Sequence, residues 1–132
     1  MQNAGLAALG LNWRYLAFEV HPLSLREAIT GAKLMKFAGL NLTVPHKLLA
    51  LDMVDKLDAS ASAWGAVNTI RFEAKDEQGE WRPLSSFAGS IPGEIRTHGF
   101  NTDADAITQS LREDLDLELT GAKVLQIGRA HV

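Results

Sequence analysis

Between Ser24 and Val44 the spacing of apolar residues changes from one period to another, and this change limits the fold more than any other feature of the chain. Leu25, Ala28, Ile29, Ala32 and Met35 recur at helical spacing behind a capping box of Ser24 and Glu27, and Gly39 ends the run. Leu40, Leu42 and Val44 then alternate with Asn41 and Thr43. A strand there buries the three apolar side chains on one face and aims Asn41 and Thr43 together from the other. Similar switches are expected on both sides. Residues 2–9 read as a helix stopped by Gly10, and residues 13–20 as an aromatic and β-branched strand before Pro22. Residues 47–57 read as a helix with Leu48, Leu51 and either Val54 or Asp55 along its stripe, residues 59–63 as a short helix, and residues 67–72 as a strand. Residues 73–99 suggest a hairpin with a long decorated loop. Thr102 or Asp103 can cap a final helix carrying Ile107, Leu111 and Leu115, and residues 123–127 resemble a new buried strand. Strands alternating with helices imply an α/β fold.

Composition narrows the function. A chain of 132 residues with 46% hydrophobic and 22% charged residues is large enough for one globular domain. The net charge is -3, and the 13 Lys and Arg residues are scattered among acidic ones, which argues against a nucleic-acid partner. Without cysteine there are no disulfides or thiolate metal sites. No apolar run approaches the roughly 18 residues of a membrane span, and the N-terminus lacks a signal-peptide pattern, so a cytoplasmic protein with no membrane partner is expected. His21, His46, His98 and His131 share no ligand spacing, and no metal is assigned.

Three polar clusters stand at strand ends or strand-to-helix turns: Asn41-Leu42-Thr43-Val44-Pro45-His46-Lys47, Gly65-Ala66-Val67-Asn68-Thr69 and Gly99-Phe100-Asn101-Thr102-Asp103. Such loops are where α/β folds place ligands. Taken singly, each has a plain structural reading: Lys47 as a solvated charge, Asn68 as a backbone partner, Asp103 as a helix cap.

Together and in this order, the segments N-L-T-V-P-H-K, G-A-V-N-T and G-F-N-T-D resemble the three signatures of the shikimate dehydrogenase substrate-binding domain. The similarity runs from about Gln2 to Gln126. The resemblance implies an α/β three-layer sandwich with a mixed sheet, followed in the family by a Rossmann domain for NADP. It implies an oxidoreductase that interconverts 3-dehydroshikimate and shikimate in aromatic amino acid biosynthesis. It divides the chain into a substrate-binding domain at residues 1–120, the start of the cofactor domain at residues 121–126, and a tail at residues 127–132.

Carried over residue by residue, Lys47 and Asp103 match the family's catalytic lysine and aspartate, which also touch the substrate. Hydride transfer to a ketone leaves an alkoxide that must gain a proton, and an ammonium beside a carboxylate suits that task. An unperturbed lysine titrates at about 10.4, so either its value is lowered in the closed site or its role is mainly electrostatic. Thr43 and Asn68 match contacts to the substrate's hydroxyls, and Asn41 either touches substrate or supports the loop. His46 occupies a variable motif position and is expected to be structural or exposed.

The chain departs from the family at both ends. The opening strand and the S-x-S-P motif, whose serines hold the substrate carboxylate, have no counterpart, and Met1 resembles an internal methionine. After Gly128 the glycine-rich dinucleotide loop does not follow, and residues 127–132 match what one reading frame of a common sequencing adapter encodes, so they are read as non-native. Weak substrate binding and no turnover by this chain alone are therefore expected. A quinate/shikimate dehydrogenase and a non-catalytic small-molecule-binding module are the alternative readings. Oligomeric state is not legible.

Overall fold

The computed structural model of the protein describes residues 1–89 and 93–123. Helix α1 (Gln2–Ala8) buries none of its residues, and the chain turns beyond it at Gly10, whose φ of 68° suits a glycine. The strand expected over residues 13–20 does not form. A strand needs a neighbour to share its ladder, and there the backbone of Tyr15 is met instead by the side chain of Asn3. The Tyr15 N–H donates to Asn3 Oδ1 at 2.7 Å, and Asn3 Nδ2 donates to the Tyr15 carbonyl at 2.9 Å.

Helix α2 (Leu25–Leu34) forms where the periodicity places it, with Leu25, Ile29 and Ala32 buried. Its expected capping box is absent. Ser24 belongs to a 3₁₀ turn, Pro22–Ser24, and makes no side-chain cap; His21 Nδ1 caps that turn instead, accepting from the Leu23 N–H at 3.3 Å. The helix also stops before Gly39. Lys36 takes a left-handed φ of 59°, and the N–H groups of Lys36 and Phe37 bond back to the carbonyls of Lys33 and Ala32, a Schellman closure built on a lysine. Gly39 serves the sheet: a Cβ there would lie 2.6 Å from the Ile70 carbonyl oxygen.

Strand β1 (Gly39–Asn41) ends sooner than the alternation suggests, and Val44 is 48% exposed, not buried. The helix expected over residues 47–57 is shorter too. Helix α3 (His46–Leu49) runs into a 3₁₀ turn, Ala50–Met53, and Lys56–Leu57 form strand β2, parallel to β5. Asp55 explains the change of element. Its carboxylate accepts from the Thr97 N–H at 2.7 Å and hydroxyl at 2.9 Å, while its own N–H donates to Thr97 Oγ1 at 2.8 Å. This reciprocal clasp draws the chain against the sheet.

Helix α4 (Ala59–Trp64) is capped by Asp58, which accepts from the Ser60 N–H, and closes at Gly65 with φ 58°. Strand β3 (Thr69–Lys75) starts and ends later than expected. The region read as a decorated hairpin holds the end of β3, strand β4 (Trp81–Pro83), a 3₁₀ turn, Leu84–Ser86, and strand β5 (Ile95–Phe100). Helix α5 (Asp103–Glu113) completes the described chain. The buried strand read over residues 123–127 lies outside the described residues from position 124 on, as does the tail.

The sheet is mixed, in the order β1-β3-β5-β2, with β4 also paired to β3. Registers Ile70↔Gly99, Phe72↔Thr97 and Ala74↔Ile95 set one face, against which Leu25, Ile29, Ala32, Ala50, Ala61, Val67 and Leu84 pack. Gly99 fits closely there, since an added Cβ would crowd the Val67 and Val54 side chains at 3.0–3.2 Å. The opposite face carries Arg71, Glu73, Arg96 and His98. Glu73 is almost fully buried and is bonded by both arginines and by His98 Nδ1. The α/β class and mixed sheet expected from the sequence are present.

Candidate active site

The three polar clusters meet at one end of the sheet, joined first by backbone. The Leu42 N–H donates to the Asn68 carbonyl at 2.7 Å, the Asn68 N–H to Phe100 at 3.0 Å, and the Val67 N–H to Lys47 at 2.8 Å. These bonds place Lys47 in the first turn of α3, Asn68 at the entry to β3 and Asp103 at the first position of α5.

Lys47 Nζ donates to Asp103 Oδ2. The pair is partly open to solvent, with side-chain exposures of 27% and 52%. The lysine's hydrogen bond holds the Asp103 carboxyl below the ordinary aspartate range; partial burial opposes this, and a bond from Asn68 and the lysine charge reinforce it. The Asp103 carboxyl therefore stands ionised at neutral pH.

Asn68 is 6% exposed and already well occupied. Its Oδ1 accepts from the Thr102 N–H at 3.1 Å and the Thr69 hydroxyl at 2.9 Å, and its Nδ2 donates to Thr102 Oγ1 at 3.0 Å. Asn41 Nδ2 donates to Thr69 Oγ1 at 3.1 Å, so Asn41 stands one hydroxyl away from Asn68. Thr43 is exposed, and its hydroxyl makes no hydrogen bond among the described residues. His46 Nε2 lies 2.9 Å from the Val20 carbonyl, a structural contact that ties the extended N-terminal segment to this loop.

Sequence reasoning offered Thr102 only as a helix cap, which its side chain does not provide, and named no role for Thr69, Asn101 or Ser60; all four hold the named residues in place. Asn101 and Thr102 sat within a singled-out cluster; an Asx residue just ahead of an amphipathic helix was the available signal. The concave surfaces along α5, at Asp105, Thr108 and Arg112, and beside the β3–β4 turn, at Asp76 and Arg82, lie away from the pair. Among the described residues no group of three His, Asp or Glu side chains is placed to hold a metal ion.

Comparison with known proteins identifies the family. Residues 1–70 match the family profile described as the shikimate dehydrogenase substrate binding domain. The chain is similar to the shikimate dehydrogenase (NADP(+)) of Methanopyrus kandleri, with 38% identity over 128 residues, 97% of this chain and 37% of that protein. It therefore spans a little over a third of that relative's length. Among solved structures it is similar to a shikimate 5-dehydrogenase from Listeria monocytogenes in complex with shikimate and NAD, with TM-score 0.65, 29% identity, and coverage of 86% of this chain and 32% of that one. It is also similar to the 5-ketofructose reductase of a Gluconobacter strain, with TM-score 0.63, 31% identity, and coverage of 83% and 32%.

Proposed function

The chain belongs to the shikimate dehydrogenase family, and on that premise we propose that it supplies the substrate-binding part of a cytoplasmic enzyme that reduces 3-dehydroshikimate to shikimate with NADPH. The observation that carries this reading is the contact between Lys47 and Asp103, formed across 56 residues, with Asn68 bonded to the same carboxyl. In it, Lys47 gives a proton to the oxygen that gains negative charge as the substrate's carbonyl is reduced. Asp103, held ionised, orients the ammonium. The free Thr43 hydroxyl binds a ring hydroxyl as donor or acceptor, and Asn68, whose amide bonds Thr102 and Asp103, meets a second one by sharing its N–H donors. Asn41 supports Asn68 through Thr69 and need not touch substrate.

A dinucleotide pyrophosphate rests on a glycine-rich strand-to-helix turn. No two glycines in this chain are separated by a single residue. The described residues thus do not fit NADP, and the chain's own part is confined to holding substrate and moving a proton.

The similarity to a 5-ketofructose reductase favours one second reading, a keto-sugar as substrate of the same pair. Titration of the isotopically labelled 132-residue chain with shikimate and, separately, with 5-ketofructose separates the two. We expect resonances of Thr43, Lys47, Asn68 and Asp103 to move together with shikimate; movement with 5-ketofructose alone reassigns the substrate. In an enzyme carrying this sequence with an intact cofactor domain, Lys47→Ala is expected to lower turnover by about a hundredfold or more. Near-normal turnover removes Lys47 from the proton transfer.

A further inference from the structure

Lys47 and Asp103 lie on different helices, and the structure refers both to the same short turn. The Lys47 carbonyl accepts from the Val67 N–H at 2.8 Å. The neighbouring carbonyl, that of Ala66, accepts from Asn101 Nδ2 at 3.2 Å, and Asn101 Oδ1 in turn accepts from the Asp103 N–H at 3.1 Å. Two adjacent residues thus set the separation of amine and carboxylate, one directly and the other through Asn101.

We infer that Asn101 is a positioning residue, which fixes the start of α5 so that the Asp103 carboxylate meets Lys47; the inference rests on the reading of these two residues as the acid–base pair. Asn101 is only 8% exposed and touches neither the amine nor the carboxylate. Its backbone N–H donates to Ser60 Oγ at 3.1 Å, and the Ser60 hydroxyl donates to Asp58 Oδ1 at 2.7 Å, which turns the serine's lone pairs toward Asn101. Asp58 and Ser60 also begin α4. The anchored unit therefore joins the start of α4, the turn after it and the start of α5.

The residue type follows from the task. One side chain has to accept from the Asp103 N–H and donate to the Ala66 carbonyl at once, which an amide does and a carboxylate does not. The first N–H groups of a helix need outside partners, and Thr102, at the N-cap, provides no side-chain cap. Asn101 supplies the bond from one position further back, as an Asx turn.

The test uses the 132-residue chain and follows the Asp103 side-chain carboxyl by carbon NMR as pH is lowered, with Lys47→Ala as the reference for a lost partner. Asn101→Ala is expected to move the Asp103 midpoint toward the ordinary aspartate value by about half a pH unit or more. Asn101→Ser, whose hydroxyl can accept from the same N–H in the corresponding turn, is expected to restore most of that shift. A purely structural asparagine would lower the unfolding midpoint in both variants and leave the Asp103 titration where it was. An unchanged midpoint in Asn101→Ala, with Lys47→Ala shifted, overturns the inference. Should Asn101→Ala fail to fold, Ser60→Ala decides: it releases the Asn101 N–H and is expected to shift Asp103 in the same direction, and no shift overturns the inference. Shikimate affinity, measured on the same variants, is expected to fall with the Asp103 shift. A chain that never binds shikimate sinks the functional reading while leaving the carboxyl titration to judge Asn101.

Discussion

Lys36 occupies the left-handed position that closes α2, a place where glycine is usual because a Cβ crowds the following carbonyl at a cost of roughly 1–2 kcal/mol. Lys36→Gly is therefore expected to raise stability by about 0.5–1 kcal/mol, the relief exceeding the extra freedom glycine brings to the unfolded chain. A urea midpoint that falls in this variant would show that the lysine stem contributes packing here. At the same scale, the candidate site was partly legible. Lys47 and Asp103 could be named from their motifs, and the structure brings their side chains into contact. That Asn68 spends most of its hydrogen-bonding capacity on Thr69 and Thr102 could not be read, because the Thr102 contact depends on how β3 and β5 pair.

Strands β3 and β5 carry the buried charge of the molecule. Burial alone would raise the Glu73 pKa, but hydrogen bonds from Arg71, Arg96 and His98, together with the Arg71 charge, outweigh it and hold the carboxyl below its usual range. A lowered folded value means that the stabilisation is complete above the unfolded glutamate value of about 4.3 and disappears as pH falls through the folded one. Glu73→Gln is expected to cost about 2 kcal/mol at neutral pH, less than for a fully enclosed pair because Arg71 and Arg96 retain 43% and 21% exposure and can rehydrate. The difference between variant and parent should shrink in denaturation series run below about pH 4; a constant difference across pH would deny the carboxylate this role. Element boundaries failed where such pairings decide. Periodicity alone extends a helix to Leu57, whereas the Asp55–Thr97 clasp and the parallel pairing with β5 turn Lys56 and Leu57 into a strand.

Across the whole molecule, order is concentrated in the sheet. The ladder of β3 with β5 runs from Thr69↔Phe100 to Ala74↔Ile95, and Ile70, Phe72 and Ala74 are fully buried beneath α2. Helix α1 buries nothing, and Ile107 of α5 and Leu115, just beyond its end, are each 62% exposed, as are Leu16 and Phe18. Hydrogen exchange of the 132-residue chain is expected to be slowest in β3 and β5 and fastest in α1, since local opening of α1 uncovers no core; equal protection of α1 and β3 would refute this distribution. The sequence by itself determined the α/β class and the presence of a helix from Leu25 on, and its family motifs named the charged pair, because these follow from local periodicity and from short motifs. Only the tertiary structure decided which strands pair, why Gly39 must lack a side chain, and how Ala66, Val67 and Asn101 hold Lys47 to Asp103. Those depend on contacts between residues far apart in the chain, where a hydrogen bond or a missing Cβ acts only once the sheet has brought its partner within reach.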